Sequence, residues 1–405
     1  MARKDSKGYI LRTGECQRKD GRYCYSYTDR YGQRRFIYSK TLVNLRERER
    51  KLQRDYEDGL DPYKAKTIEV NHMIESYLNQ KHDLKTSTKG CYYYLYRKYI
   101  KDSFGKCKII DVKYSDIKKF YYSLILDNGL TASSVDHVHT LLHPAFQMAV
   151  RDSLIRMNPT EGVMAEIKRS KFWNKKKKKA LTIKEQQTFL AFLRDNREYE
   201  GWLPIITVLL GTGMRIGECL GLTWNDLDFD NRIINVNHSF SDRPDEEGNC
   251  RKRITSTKSD AGTRTIPMIE EVFDAFLQEY EYQKILGFCK EEIDGYSGFV
   301  FSTAGNVYLP ASVNHAIHRC VKEYNRREEE KAVEEDREAF FLPDFSAHVL
   351  RHTFCTRLCE NETNLKVIQS IMGHADISTT MDIYADATKE KKQEVMNNLE
   401  GKIII

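Results

Sequence analysis

The chain has 405 residues, of which 40% are hydrophobic and 31% charged, and its net charge is +6. This length predicts about three domains. No apolar run approaches the ~20 residues of a membrane span and no signal-peptide stretch follows the basic N-terminus, which argues against a membrane protein. Of the ten cysteines, the one close pair, Cys355 and Cys359, has neither zinc-site nor Cys-x-x-Cys spacing. We therefore expect reduced thiols in a cytoplasmic protein.

The positive charge is concentrated in two segments. Residues 1–54 contain 16 Lys/Arg and six Asp/Glu, a net charge of +10, so the rest of the chain sums to −4. The segment from Lys168 to Lys179 has eight basic residues and no acidic one. Such a distribution is typical of proteins that bind nucleic acid. A solvated basic surface is the alternative interpretation.

Three aromatic-rich segments of alternating polarity near the N-terminus predict short β-strands, at 8–12, 22–28 and 34–39. A charged helix, about 42–56, follows, and Gly59-Leu-Asp-Pro62 ends the segment. We expect a small domain, residues 1–62, with a three-stranded sheet and one helix. A ribbon of this kind fits the major groove of DNA. Its candidate DNA-binding residues are Arg22, Tyr25, Arg34 and Arg35.

The segment 66–166 is predicted to be a helical bundle. Apolar residues between Ile68 and Leu78 recur with a period of 3.6, and Thr86, Ser115 and Thr131 can cap three further helices. Its tyrosine-rich stripes fit a helical core, the more common case, or a nucleic-acid platform. A basic linker, 167–180, follows. Its candidate DNA-binding residues are Lys168, Arg169, Lys175, Lys176 and Lys177.

Residues 181–388 are predicted to form a mixed α/β domain. Thr182 with Glu185 three residues later indicates a capped helix start. A helix at 202–210, strands at 232–240, 253–259 and 264–267, and further helices follow. We expect the turn Ser259-Asp-Ala-Gly262 to join the last two strands into a hairpin with Lys258 near its tip. A lysine in this place usually confers only solubility.

Two further motifs are expected to place basic side chains near the N-terminus of a helix. Gly211-Thr-Gly213 is expected to form a turn that presents Arg215 at a helix N-terminus, where phosphate is favoured. Glu218, three residues on, could make a plain surface pair with this arginine. Ser346 is expected to cap a helix with His348 in its first turn and Arg351 one turn later, again either a site or a surface pair. Gly373-His374 then precedes Tyr384 by ten residues.

In order and spacing, these motifs resemble the tyrosine recombinase (phage integrase) family. The resemblance covers roughly residues 66–390. The basic N-terminal segment is similar to that of integrases from antibiotic-resistance conjugative transposons and to the separate arm-DNA-binding domain of the phage lambda class. An acidic helix, Glu328–Glu338, is an apparent insertion. The resemblance implies an arm-binding domain, a helical core-binding bundle and a mixed α/β catalytic domain.

The resemblance also implies a reaction. Tyr384 would attack a DNA phosphodiester and form a 3′-phosphotyrosyl ester. Arg215, Arg351 and His374 would stabilise the charge on the phosphate, because such contacts strengthen in the transition state. Lys258 would protonate the leaving 5′-oxygen and His348 would accept the tyrosine proton. We expect no metal and no cofactor.

The interpretation is therefore a site-specific recombinase that excises and integrates a mobile element. The partners expected are double-stranded DNA at core and arm sites, three further copies in a homotetramer, an excisionase and a host DNA-bending protein. A type IB topoisomerase-like relaxer and a non-catalytic DNA-binding regulator are the alternatives. The C-terminal segment, 389–405, is predicted to dock on a neighbouring subunit or on its own domain.

Overall fold

A computed structural model describes residues 3–29, 31–84, 86–173, 179–256 and 262–385. The chain divides into two compact units. The first is Met1–Lys175 with Asp245–Gly248, and the second is Lys176–Pro244 with Asn249–Ile405. The predicted segments 1–62 and 66–166 both fall in the first unit, so the finer division into domains stays a prediction. Among the described residues, none of the helices has the length and apolar character needed to cross a bilayer.

The first unit begins with a three-stranded antiparallel sheet, of order β1 (Glu15–Gln17), β2 (Tyr23–Thr28) and β3 (Arg34–Ser39). The predicted strand at 8–12 is wrong: only an isolated bridge between Lys4 and Ile10 forms there. Helix α1 (Leu42–Glu57) begins at Thr41, whose side chain accepts from the Asn44 amide. It covers one face of the sheet, where Arg46 donates to the buried Glu15 carboxylate at 2.9 Å.

The sheet's other face is open. Arg34, Phe36 and Tyr38 alternate along β3 and are exposed on this face. The Arg34 guanidinium lies 5.6 Å from the centre of the Phe36 ring, and Phe36 stacks on Tyr38 with 6.3 Å between ring centres. The open face therefore combines positive charge with flat aromatic rings.

The helical part of the first unit contains the four predicted helices, but two of the predicted caps are wrong. The four helices are α3 (Val70–Gln80), α4 (Thr86–Leu95), which continues as one π-helical turn (Tyr96–Ile100), α5 (Tyr114–Leu126) and α6 (Ala132–Arg151). Thr86 is already the first helical residue, and Ser115 lies two positions after the N-cap residue Lys113. Two shorter helices, α2 (Pro62–Thr67) and α7 (Val163–Arg169), were not predicted. Thr131 caps α6 as expected, through a bond from the Ser134 amide. The core lies between the apolar faces of α3, α5 and α6.

The second unit packs helices around small sheets. Its first helices are α8 (Ile183–Asp195), α9 (Leu203–Thr212) and α10 (Ile216–Gly221). Thr182 and Glu185 form the predicted capping box at the start of α8. Helix α9 is apolar on nearly all sides and runs through the core. Further helices are α11 (Glu270–Leu286), α12 (Pro310–Glu334), α13 (Ala347–Asn361) and α14 (Leu365–Met372), and residues 377–385 are also helical.

The strands of the second unit differ from the predicted hairpin. They are β4 (Leu227–Asp228), β5 (Ile233–Val236), β6 (His238–Ser241), β7 (Arg253–Ser256) and β8 (Arg264–Pro267). In the described residues, β7 pairs with β6, whereas β8 pairs with β5. The two strands expected to pair with each other thus lie in different sheets, because each finds its partner in an earlier strand. The overall fold class, mainly helical with small sheets, is confirmed.

The acidic segment 328–338 is helical only in part, because α12 ends at Glu334 and the chain then turns at Asp336, which has a positive φ of 47°. Glu328 pairs with Arg337 at 2.5 Å and accepts from the Phe340 amide at 3.0 Å. The Arg337 and Phe340 hydrogen bonds lower the pKa of Glu328 to about 2. These bonds turn the chain back toward α13.

Candidate active site

Arg215 lies at the junction between α9 and α10. Gly211 and Thr212 are still helical, and the turn is made by Gly213 alone, in the left-handed conformation with φ 62°. A Cβ atom at this glycine would lie 2.3 Å from Cδ1 of Phe354. Both the backbone angle and the close ring therefore require glycine here. Arg215 follows as the N-cap residue of α10.

A buried carboxylate holds Arg215. The Arg215 backbone amide donates to Glu218 Oε2 at 3.0 Å, and its Nη1 donates to Oε1 at 2.6 Å. Arg264 Nη2 donates to the same Oε2 at 2.9 Å. The side chains of Glu218 and Arg264 are each 4% exposed, whereas that of Arg215 is 41% exposed. The plain surface pair is therefore wrong, because the carboxylate is buried and shared.

The electrostatics of Glu218 follow from this sharing. Burial alone would raise the pKa of Glu218, but the charge and hydrogen bond of Arg264, together with the charge of Arg215, outweigh it and lower the pKa. Glu218 is therefore ionised near neutral pH. One negative charge is thus placed between two guanidinium groups, and the surroundings keep a net positive charge.

Arg351 lies on α13 and is 4% exposed. Its Nη1 donates to the Gly213 carbonyl and its Nη2 to the Met372 carbonyl, each at 2.6 Å. Burial, and then the charge of Arg215, lowers the pKa of Arg351 to about 10. The guanidinium therefore remains charged at neutral pH. A guanidinium has five N–H donors, so donors remain for a phosphate.

Three arginines converge on the end of α14. Three successive carbonyls, those of Ile371, Met372 and Gly373, accept from Arg264, Arg351 and Arg215 respectively. The distances are 2.7, 2.6 and 3.0 Å. The last carbonyls of a helix have no partner within the helix and carry partial negative charge. This helix end therefore fixes all three guanidiniums directly before His374.

His374 follows the left-handed Gly373 that ends α14 and is 7% exposed. Its Nδ1 lies 2.9 Å from Oγ1 of Thr380. Burial, and then the positive charges of the surrounding arginines, lowers the pKa of His374 to about 4. The ring is therefore neutral at neutral pH, and a neutral imidazole can still donate one hydrogen bond.

Tyr384 lies in helical residues 377–385, which we call the Tyr384 helix. Asp376 begins this helix, because its Oδ1 accepts from the Ser378 amide at 2.9 Å. Tyr384 is half-buried and packs against a small apolar cluster on α13 and α14. The buried members of this cluster are Cys355, Cys359, Ile368 and Met372. The tyrosine thus rests on the same two helices that carry Arg351 and precede His374.

His348 and Lys258 are the two remaining predicted catalytic residues. His348 is exposed in the first turn of α13. Ser346 occupies the N-cap position as expected, but its side chain makes no capping bond. Asn314 of α12 takes that role, because its Oδ1 accepts from the Ala347 amide at 2.9 Å. Lys258 lies outside the described residues, between the end of β7 and the start of β8.

The sequence analysis missed Arg264, Thr380 and the shared role of Glu218. Arg264 is the first residue of a short strand, where a basic side chain ordinarily faces solvent. Thr380 lies between the Gly-His pair and the tyrosine. Its place four residues before Tyr384 could have indicated that the two side chains share one face of a helix. Neither residue type by itself indicates a role.

The candidate DNA-binding residues occupy different environments. Arg34 lies on the open sheet face, whereas Tyr25 and Arg35 alternate with it and fall on the face toward α1. Arg35 donates to Asp29 at 2.9 Å and lies over the Tyr63 ring at 3.7 Å. Arg22 is exposed beside Asp20. Lys168 and Arg169 form the last turn of α7, and Lys175, Lys176 and Lys177 lie outside the described residues.

The chain matches the phage integrase family model over residues 179–391, more than half of its length. It belongs to the phage integrase family of tyrosine recombinases. Within this integrase, residues 1–56 match the DNA-binding domain of Tn916 integrase, and residues 70–125 match the SAM-like N-terminal domain of phage integrases. The family resemblance drawn from the motifs is therefore confirmed.

Curated relatives match the integrase along nearly its whole length. The transposase from transposon Tn1545 of Streptococcus agalactiae is 34% identical over 98% of this chain and 96% of its own length. The transposase from transposon Tn916 of Enterococcus faecalis shows the same identity and coverage. This protein is thus homologous to conjugative-transposon integrases.

Solved structures of Tn1549 transposon integrase match the fold. One, in complex with transposon right end DNA, is 33% identical, covers 82% of this chain and 100% of its own, and has a TM-score of 0.70. Another, in complex with a circular intermediate DNA, is 32% identical, covers 81% and 99%, and has a TM-score of 0.69. The helical and mixed α/β parts of this integrase therefore have the architecture of a tyrosine recombinase.

Proposed function

We propose that this protein excises and integrates a conjugative mobile element by cutting and rejoining DNA through Tyr384. The observation that carries the proposal is the convergence of Arg215, Arg351 and His374 at one end of α14. The Tyr384 helix packs on the same elements. Positive charge and a neutral donor beside a phenol are what attack on a phosphodiester requires.

The chemistry follows from the charges. A tyrosine with a pKa near 10 is ionised about once in a thousand molecules at neutral pH, so forming the phenolate costs about 4 kcal/mol. Nearby guanidinium groups offset much of this cost. Tyr384 Oη forms a bond to phosphorus while the bond from phosphorus to the 5′-oxygen breaks. His348 accepts the phenolic proton and Lys258 supplies one to the leaving oxygen.

In this proposal, side chains of the protein supply the positive charge that neutralises the phosphate. Arg215 and Arg351 donate to the non-bridging oxygens with their remaining N–H groups, and His374 donates one further bond. Losing one such donor typically lowers the rate about 10²–10³-fold. The phosphotyrosyl ester retains the energy of the broken bond, so a 5′-hydroxyl from another strand can reverse the step. Neither a metal nor a nucleotide is needed for this exchange.

The partners follow from strand exchange. Two duplexes exchange four strands, so four active sites are needed, and we propose a homotetramer assembled on core-site DNA. The open sheet face, with Arg34, Phe36 and Tyr38, is the proposed surface for arm-site DNA, supported by the match of residues 1–56 to a DNA-binding domain. An excisionase and a host DNA-bending protein would determine whether the element is excised or integrated. The protein would act in the bacterial cytoplasm, where such DNA lies.

The test is a duplex with a nick close to the cleavage site, which traps the covalent complex because the short leaving strand diffuses away. The wild-type protein should become attached to the DNA. Tyr384→Phe should bind equally well and form no covalent product, because the variant lacks only the nucleophilic oxygen. Tyr308→Phe is the matched control, since that tyrosine packs against the second unit's core.

The outcomes separate the candidate functions. Binding without attachment by the wild-type protein would indicate a regulator. Attachment by Tyr384→Phe would exclude Tyr384 as the nucleophile. Attachment and relaxation of supercoiled DNA without recombination between two sites would indicate a type IB relaxer. Recombination between two sites supports the integrase.

A further inference from the structure

The imidazole of His374 is bonded to the helix that carries the nucleophile. Thr380 Oγ1 lies 2.9 Å from Nδ1 of His374. Thr380 is fully buried, and within the described part of the chain this is its hydroxyl's one side-chain hydrogen bond. In a buried pair of this kind, one of the two atoms must donate the proton and the other must accept it. The direction of the bond therefore decides what the rest of the ring can do.

Two arrangements are possible for a neutral ring, which carries a single proton. If the Thr380 hydroxyl donates to Nδ1, the ring proton is on Nε2 and that nitrogen is a donor. If Nδ1 instead carries the proton, Nε2 is an acceptor and cannot bond to a phosphate oxygen. The direction of the Thr380 bond therefore distinguishes a ring whose Nε2 can donate to a phosphate oxygen from one whose Nε2 cannot.

Thr380 also belongs to the Tyr384 helix. Residues four apart in a helix lie on the same face, one turn from each other. A displacement of this helix that withdraws Tyr384 from the site therefore also withdraws the hydroxyl from His374. The start of the helix, fixed by Asp376 on the Ser378 amide, lies only two residues after His374. The Thr380 bond and the one helical turn from Thr380 to Tyr384 thus link the histidine to the nucleophile.

We propose that Thr380 is a positioning residue. Its hydroxyl donates to His374 Nδ1, keeps the ring proton on Nε2, and so couples the phosphate-binding histidine to the docking of the Tyr384 helix. This inference rests on the proposed function, because it concerns the same reaction. The Tyr384 helix then has a second role beside carrying the nucleophile, because His374 Nε2 is held as a donor only while this helix is docked.

The first test compares three variants by the rate of covalent attachment to the nicked duplex. Thr380→Val removes the hydroxyl at nearly constant volume and should slow attachment about 10- to 100-fold, by analogy with the loss of a hydrogen-bond partner behind a metal-binding histidine. Thr380→Ser keeps the hydroxyl and should restore most of the rate. Thr379→Val, at an exposed position on the same helix, should behave as wild type. DNA affinity should not change in any of the three.

The second test distinguishes orientation of the ring from a general effect on the helix. In a His374→Gln background there is no imidazole to orient, so adding Thr380→Val should change the attachment rate less than twofold. Equal reductions in both backgrounds would mean that the two residues act independently. That result would overturn the proposal and leave Thr380 as a packing residue.

The third test needs no reaction. Imidazole ¹⁵N chemical shifts of histidine-labelled protein report which ring nitrogen is protonated, and the His374→Gln variant identifies the signal among the 11 histidines. We expect the Nε2–H form in the wild-type protein and a mixture in Thr380→Val. A wild-type ring protonated on Nδ1 would refute the inference. If the nitrogen shifts agree but the wild-type protein does not attach to DNA, the proposed function fails and the positioning role remains.

Discussion

At the scale of single residues, the site is built on main-chain carbonyls as much as on side chains. Arg215 and Arg351 each donate to a carbonyl at the end of α14. Arg264 completes the set by bonding to both Ile371 and Glu218. Because the helix end already holds the guanidiniums, the phosphate contacts proposed above would need little reorganisation of these side chains.

Replacing Glu218 by glutamine should destabilise the protein. The variant leaves the buried Arg264 guanidinium without its carboxylate, and removing one partner of a buried ion pair typically costs about 3–5 kcal/mol. Urea unfolding at pH 7 measures the change. Glu198→Gln is the control, because Glu198 is exposed. Equal stability of Glu218→Gln and wild type would contradict the role assigned to this carboxylate.

The stability lost in Glu218→Gln should also depend on pH. The pKa of Glu218 is lower in the folded protein than its ordinary value, since the charges of Arg264 and Arg215 outweigh burial. Its contribution is therefore present above the unfolded pKa of about 4.3 and is lost as the pH falls through the folded pKa. The stability difference between wild type and Glu218→Gln should shrink as the pH is lowered below about 4. A stability difference that stays constant as the pH falls would show that the charge of Glu218 does not stabilise the folded protein.

Lys258→Ala tests the proton donor. The variant should slow cleavage of a normal 5′-oxygen about 10²–10⁴-fold. Cleavage of a 5′-bridging thiolate should be affected much less, because a thiolate leaves without protonation. Lys252→Ala is the control, since Lys252 is already held by Glu291 at 2.7 Å. Equal slowing of both substrates would exclude Lys258 as the acid.

At the scale of elements, the two faces of the N-terminal sheet differ in what they contact. One face packs on α1, and the other exposes a row of arginine and aromatic side chains on β3. The separation follows from the two-residue period of a strand. It explains why Arg35, adjacent to Arg34, pairs with Asp29 instead of facing outward.

Deleting residues 1–60 should leave core-site cleavage intact and weaken binding to arm-site DNA. Each DNA phosphate that the shortened protein no longer neutralises should reduce the slope of log affinity against log salt concentration by about 0.9. Salt titrations on DNA with and without arm sites measure this slope. An unchanged slope on DNA that contains arm sites would rule out the arm-binding role.

At the scale of the whole molecule, we expect strand exchange to depend on contacts between subunits. The segment after Tyr384 contains Val395, Met396 and Leu399 at helical spacing and ends in Ile403-Ile-Ile405. It lies outside the described residues, so its docking on a neighbouring subunit stays a prediction. An apolar triplet of this kind favours a protein groove over water.

Truncation after Thr388 should reduce cooperative assembly on DNA and uncouple cleavage from strand exchange. Native gel shifts measure assembly, and recombination between two sites measures exchange, while attachment to the nicked duplex should persist. If the truncated protein assembled and recombined as well as the full chain, docking between subunits would be wrong. The catalytic assignment would stand in that case.

The sequence by itself determined most of the helices but only some of their starts. Thr131 and Thr182 cap the helices that they were expected to cap. It also determined the family, through the motifs around Arg215, Arg351 and His374. These signals act within a turn or two of helix, where the partners are neighbours in the chain. The strand at 8–12 and the pairing of β7 with β8 were mispredicted, because strand pairing depends on residues far away in the sequence.

Only the tertiary structure decided how the site is assembled. The carbonyls at the end of α14 take their donors from residues 158, 107 and 21 positions away. No local pattern marks Arg264 as one of those donors or Glu218 as a buried anchor, because each reads as an ordinary surface residue. Folding brings these segments together, and burial then makes their bonds obligatory, since an unpaired charge or carbonyl inside the protein is costly.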